Sequence, residues 1–216
     1  MATDETQARI IDAAGQIFAA KGYRATTIRE ICEAAGVGLA SVNYHFHDKQ
    51  QLYVTVVDHA FAYWKEIRQT LPESPPGTPA ADRLRHWIRR LAIDVMVRRG
   101  ESWQERLLTK EVRFPTPECE DVLRARMRPE VDALRDILAE LLGSDTPAIK
   151  LWLVAYSILG QCLFYDSHRE VIRLIRVEEA MGIEDDCETV AAHVTDTCLA
   201  AFGLAPPIVG PQPEPE

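Results

Sequence analysis

The chain has 216 residues, with 47% hydrophobic and 26% charged residues and a formal net charge of -9. That length holds one sizeable core plus a small domain, and the acidic balance excludes a protein that coats nucleic acid nonspecifically, which needs a strongly basic surface. Sequence-specific DNA binding is compatible with it, but residues 1–60 carry five Lys or Arg against seven Asp or Glu, so a DNA-reading domain there must gather its cations on one face.

In chain order, Asp4 with Gln7 predicts the cap of a first helix, in which Ile10, Ala14, Ile17 and Phe18 follow helical spacing and Lys21-Gly22 marks the end. Thr27 and Glu30 then form a capping-box pair, so a second helix starts with its first backbone donors satisfied. Ile28, Ile31, Ala34 and Ala35 form its apolar side. The run Ala35-Gly36-Val37-Gly38 stops it where glycine makes a positive φ cheap, and a third helix opens at Leu39. In that helix Leu39, Val42 and Phe46 are expected inside, which leaves Ser41, Asn43, Tyr44 and His45 to face a partner. Two short helices around a tight turn follow helix-turn-helix logic, in which the second lies in the DNA major groove. The first helix supplies the third wall, with Ile17 and Phe18 against Ile28, Ile31, Val42 and Phe46.

Asp48 and Gln51 repeat the capping pattern and begin a long helix to about Gln69 that carries Leu52, Val56, His59, Phe61 and Tyr63. Lys49 falls in its first turn, where a cation beside free N–H groups suits a phosphate. The stretch Leu71–Pro79 is a loop by its prolines, and Thr78-Pro79 opens the next helix. There Leu84, Trp87, Ile88, Leu91 and Val95 make one stripe, and Arg83, Arg85, Arg89, Arg90, Arg98 and Arg99 decorate the rest. A basic amphipathic helix can contact DNA or a membrane surface; a solvated face over a buried stripe is the simpler reading.

Ser102 with Glu105 caps another helix, ended by Phe114-Pro115, and Thr116-Pro117 starts one running to about Leu142 with a kink near Pro129. Thr146-Pro147 opens the helix containing LWLVAYSILGQCLFY, apolar on nearly every face and expected to be buried all round, partly by another subunit. From about Asp185 to Phe202 a last helix carries the small-residue stripe Val190, Ala191, Val194, Cys198 and Ala201. Two such helices from each protomer would form a four-helix dimer interface, with Leu153, Ser157, Gly160, Phe164, Val190, Val194 and Cys198 at the contact. The tail Leu204–Glu216, with five prolines, is expected to be disordered.

Catalytic and metal chemistry find no pattern to rest on. His45, His47 and Asp48 lack the spacing of a helical zinc motif. Asp94, Glu105, Glu111 and Asp132 read as charges of solvated helix faces, and no phosphate loop or nucleophile elbow occurs. No enzyme activity, cofactor or metal is expected. The five cysteines, Cys32, Cys119, Cys162, Cys187 and Cys198, lack CxxC spacing and read as small buried apolar residues in a reducing compartment, with a redox role left open for Cys187 and Cys198. The polar, acidic N-terminus does not read as a signal peptide. The apolar run Leu151–Tyr165 is shorter than the roughly twenty residues that span a bilayer. A cytoplasmic protein without membrane contact is the expectation.

Gly22-Tyr23, Thr26-Thr27-Ile28, Ile31, Ala35-Gly36-Val37, Tyr44-His45-Phe46, Lys49 and Leu52 together resemble the N-terminal signature of TetR-family transcriptional regulators. Asn43 stands where that family usually has Tyr, and this NYHF variant, with Gly160-Gln161-Cys162-Leu163-Phe164-Tyr165, is similar to a CecR-like subgroup. The resemblance implies an all-α protein with a three-helix helix-turn-helix domain (1–47), a helical effector-binding and dimerisation domain (48–203) and a tail (204–216). It implies a homodimeric repressor released from a palindromic double-stranded DNA operator by a small apolar or aromatic effector. Thr26, Thr27, Gly38, Leu39, Ala40, Ser41, Asn43, Tyr44, His45 and Lys49 are the candidate DNA-binding residues. Phe61, Trp64, Trp87, Leu91, Trp103, Phe114, Met127, Trp152 and Tyr156 are candidates for an effector pocket between helices, with ordinary core as the alternative. The competing function classes are a helical protein-interaction module without effector and an enzyme using the C-terminal half.

Overall fold

A computed structural model describes residues 2–68, 74–96, 102–175 and 186–205. Among them every regular element is helical, so the all-α expectation holds: α1 (Ala2–Lys21), α2 (Ile28–Ala35), α3 (Leu39–Phe46), α4 (Lys49–Arg68), α5 (Ala80–Met96), α6 (Trp103–Arg113), the short 3-10 turn η1 (Pro117–Cys119), α7 (Glu120–Leu142), α8 (Ala148–Ser167), α9 (Arg169–Ile175) and α10 (Cys187–Ala201). Several start signals act as expected. Thr27 and Ser102 each complete a reciprocal capping box, with Glu30 and Glu105; at the last helix, for which no cap was read, the Asp186 carboxylate accepts from the Thr189 N–H at 3.0 Å. Others differ. Asp4 lies within α1, which already starts at Ala2. The Thr78 hydroxyl donates back to the Pro75 carbonyl at 2.7 Å, leaving the Pro79 carbonyl to accept the first bonds of α5.

The chain forms two compact units, 1–70 with 99–129 and 71–98 with 130–216. A division at 47/48 is therefore not where the packing divides. The reason is α4, whose Leu52, Tyr53, Val56, Val57 and Ala60 are all at most 1% exposed and share one core with α1, α2, α3 and α6. Phe18 sits at its centre, edge-on to Tyr53 at 4.6 Å between ring centroids. Burying each such side chain contributes roughly 1.5–3 kcal/mol. The second boundary falls inside α7 at Pro129, where the ring removes a backbone donor from the helix.

The second unit packs α5 on α8 and α10 through Leu84, Ile88, Ala92, Ala155, Ile158, Val190 and Val194. The stripe read from the sequence is its inner face. The arginines of α5 are in ion pairs, Arg85 with Asp82, Arg89 with Glu188, Arg90 with Glu130 and Arg83 with Glu140, so the solvated-face reading holds for these four. Arg98 and Arg99 lie outside the described residues, as do residues 71–73 of the loop and 206–216 of the tail. α9 was not expected. Its segment REVIRLI is too short for a periodicity argument, and none of its residues is buried.

Candidate nucleic-acid interface

The turn between α2 and α3 is built by backbone demands. Gly36 takes φ 64°, and the Val37 N–H reaches back to the Cys32 carbonyl at 3.0 Å, which closes the end of α2. Gly38 starts α3 without a side chain to cap it, so the leading N–H groups of α3 stay open to an anion. Val42 and Phe46 turn into the core at 0% and 3% exposure. Gly38, Leu39, Ala40, Asn43 and Tyr44 are exposed on the other side, and Ser41 and His45 are half-buried at its flank. Leu39 departs from the expected burial: at the open first turn of α3 it is 57% exposed, and Tyr44 reaches 76%. One helix face thus offers an apolar residue, an amide and a phenol to the outside.

Two candidates serve the scaffold instead. Thr26 is 1% exposed and its hydroxyl donates to the Gly22 carbonyl at 2.8 Å, so its side chain fixes the loop and does not face a partner. Thr27 is exposed, but its hydroxyl is committed to the capping box with Glu30. The Glu30 carboxyl is held down to about 2 by the hydrogen bond from Lys21, then by Thr27. A depressed carboxylate contributes stability above its usual range, which is lost as pH falls toward 2.

Lys49 lies in the first turn of α4 with its ammonium 4.5 Å from the centroid of the Tyr23 ring. That contact aims a flexible cation. As the capping pattern of Asp48 and Gln51 predicts, the Asp48 carboxylate accepts from the Gln51 N–H at 2.8 Å, so one donor of this helix end is already taken. Between α3 and α4 stands a feature absent from the sequence reading. His47 takes φ 63° and ψ -56°, and the Asp48 N–H bonds the Phe46 carbonyl at 2.7 Å, a γ-turn of the strained hand. No local pattern marks it, since His carries neither the glycine nor the asparagine signal for positive φ.

α6 anchors this reading head from behind. The Trp103 indole donates to Asp12 of α1 at 2.9 Å and stacks on His59 of α4. It packs so closely on Gly15 that an added Cβ there would stand 2.5 Å from the ring. Lys110 donates to the Ala19 carbonyl, closing the C-terminal end of α1. Glu111, 3% exposed, accepts from the Tyr53 hydroxyl and from both the N–H and hydroxyl of Thr116. The same burial pushes the Cys119 thiol up to about 12, and Cys162 likewise; Cys187 and Cys198 also shift upward, chiefly through desolvation. These thiols stay protonated and unreactive at neutral pH.

The effector-pocket candidates are not gathered in one unit. Phe61, Trp64, Trp103 and Met127 pack in the first core, and Phe114 in the same unit is 74% exposed. Trp87 and Leu91 belong to the second core. Trp152 and Tyr156 stack at 5.9 Å on α8, where Tyr156 is 59% exposed. The dimer candidates split as well. Leu153, Ser157, Gly160 and Phe164 are exposed on α8. Val190, Val194 and Cys198 are at most 5% exposed because that stripe of α10 covers the unit's own core; they are not surface residues. The outer side of α10 carries Ala192, His193 and Asp196. In the single chain only 22% of the most apolar stretch of α8 is buried.

Residues 10–56 match the model of bacterial regulatory proteins of the tetR family, and residues 80–202 match the C-terminal domain of the HTH-type transcriptional dual regulator CecR. Among characterised relatives, the HTH-type transcriptional regulator AcrR of Shigella flexneri is 31% identical over 75 residues, 35% of each chain. The HTH-type transcriptional repressor KstR2 of Rhodococcus jostii is 36% identical over 62 residues, 27% of this chain and 30% of its own. The chain thus spans about a third of the length of these relatives. The fold of AibR in complex with isovaleryl coenzyme A and operator DNA is similar over 89% of this chain and 97% of that one, with a TM-score of 0.57 at 20% identity. PfmR of Thermus thermophilus is similar over 88% and 94%, with a TM-score of 0.57 at 19% identity.

Proposed function

Since the chain belongs to the TetR family of helix-turn-helix transcriptional regulators and carries a CecR-type C-terminal domain, we propose that it works as a homodimeric cytoplasmic repressor that reads a palindromic operator and releases it on binding a small apolar or aromatic effector. The observation that carries this reading is the outward face of α3, where Leu39, Ala40, Asn43 and Tyr44 stand clear of the core on a helix short enough to enter a major groove. Lys49, with the open N-terminus of α3, supplies phosphate contacts that set register. A two-fold dimer presents two such helices, and an inverted repeat is the DNA symmetry that fits it.

The second copy is the occupant that suits α8. Ile149, Leu153, Tyr156, Gly160 and Phe164 follow helical spacing on one exposed side, and an added Cβ at Gly160 would meet nothing within 4 Å, which leaves room for a partner helix. Small Ala192 on the outer side of α10 permits the same close approach. The helix is long and apolar enough to cross a membrane, but Ser157 and Gln161 on it, together with the reading head, favour another protomer as its cover. AibR, with both operator DNA and a coenzyme A thioester in its complex, supports a small-molecule effector here.

The phosphate role of Lys49 has a distinct signature. Lys49→Ala is expected to weaken binding to all DNA sequences about equally and to lower the slope of log K against log salt by about two, one for each protomer. Asn43→Ala is expected to change base preference with the slope kept. Fluorescence-anisotropy titrations at several salt concentrations read both. An unchanged slope with an altered preference in Lys49→Ala would reverse these roles.

A further inference from the structure

Two exposed residues of α3 carry different chemistry on one side of the helix. Asn43 lies inside α3 and at neither cap, and its side-chain amide has no hydrogen-bond partner among the described residues. An asparagine inside a helix is a weaker helix former than alanine and tends to seek a local backbone partner. This one keeps an acceptor and two donors free. Leu39 is 57% exposed one turn before it, and residues at i and i+4 are neighbours on a helix surface. Val42 and Phe46 hold α3 to the core at 0% and 3% exposure, so the fold makes no use of either exposed side chain.

Each chemistry selects a different group on a DNA duplex. A phosphate offers only acceptors, so it would engage the Asn43 N–H and leave the side-chain carbonyl unused. Guanine likewise presents two acceptors in the major groove. Among single bases adenine alone presents an acceptor, N7, beside a donor, N6–H, and a planar amide matches both at once. For Leu39 the groove holds one apolar group, the 5-methyl of thymine. Phosphate binding falls to other groups, Lys49 and the N–H groups at the start of α3, where Gly38 brings no capping side chain.

We propose that Asn43 reads one adenine in each half-site, its amide N–H donating to N7 and its carbonyl accepting from N6–H, and that Leu39 packs on a thymine methyl within about two base steps of that adenine. The inference rests on the operator-reading function and adds the bases that the operator must hold. The limit of two steps follows from the separation of Cβ atoms one helical turn apart, roughly 5–6 Å, against roughly 3.4 Å per base along a strand.

The test takes the inverted repeat that the full chain selects from random DNA and replaces its bases one position at a time, symmetrically in both half-sites. 7-Deazaadenine removes N7 from adenine, and uracil in place of thymine removes the methyl; both keep the base pair. With the parent protein, 7-deazaadenine at one position should weaken binding at least about tenfold, and uracil within two steps of it about threefold. In Asn43→Ala the first penalty should vanish and all four bases should bind about equally at that position; in Leu39→Ala the second should vanish. Asn43→Ala free of DNA should melt no lower than the parent, because alanine is the better helix former and no hydrogen bond of the fold is lost. A half-site without adenine, or either analogue tolerated at every position, overturns the proposal. So does a penalty that persists in the matching variant, a separation of the two sensitive positions beyond two steps, or a lower melting temperature for Asn43→Ala. An operator bound without these sensitivities faults the base assignment alone, whereas failure of the parent to retain any duplex brings down the operator-reading function and the proposal with it.

Discussion

Glu111→Ala is expected to lower the unfolding free energy by about 3 kcal/mol or more, since each buried donor left without an acceptor costs about 1–3 kcal/mol. Glu111 is 3% exposed and accepts from the Tyr53 hydroxyl and from two groups of Thr116, so the substitution strands donors on α4 and on the connection into η1 together. At about 2–4 °C per kcal/mol for a chain of this size, the melting temperature should fall by about 6–12 °C. Tyr53→Phe removes one donor with the acceptor kept bonded to Thr116, and about 1 kcal/mol is the expected loss. Thermal unfolding followed by circular dichroism checks both. A Glu111→Ala melting temperature within about 2 °C of the parent would mean that this network does not hold α6 to the reading head.

Leu153→Glu is expected to raise the dimer dissociation constant at least about 100-fold, a change of about 2.7 kcal/mol. Leu153 is 61% exposed in the single chain, so the substitution costs the monomer little. At a two-fold interface it brings two carboxylates into apolar surroundings, where charge is poorly tolerated. Operator affinity should fall with it, because each half-site would then be held alone. Val194→Glu makes the contrast: at 1% exposure in the second core it should unfold that unit and not merely separate protomers. Sedimentation equilibrium of Leu153→Glu measures the constant, and a dimer as tight as the parent would move the interface away from α8.

Local signals were legible in the sequence wherever one element decides its own ends. Thr27 with Glu30, Ser102 with Glu105 and Gly36 after Ala35 set helix termini by bonds within a few residues, and the α5 stripe found its own inner face. Much of what failed depended on partners distant in the chain. The α10 stripe Val190, Val194 and Cys198 was correctly apolar, but only the packing of α5 against it decides that it faces inward. Trp103, read as a pocket aromatic, is a core residue because Asp12 and Gly15 receive it from 91 and 88 residues away. Within the candidate interface, Asn43 and Tyr44 were legible as outward residues of α3, whereas Leu39, expected inside with Val42 and Phe46, is exposed at the first turn. The burial of Thr26 and the γ-turn at His47 were not legible, because both follow from how the loop closes on Gly22 and Phe46.

The most direct measurement of the central claim is selection of bound fragments from a random double-stranded DNA pool by the full chain, with the stoichiometry of the selected complex determined by native mass spectrometry. The account predicts an inverted repeat bound by an even number of protomers, with half-site centres at least about one helical turn, roughly 34–36 Å, apart. Enrichment of a single asymmetric half-site held by one protomer, or no enrichment at all, would contradict it.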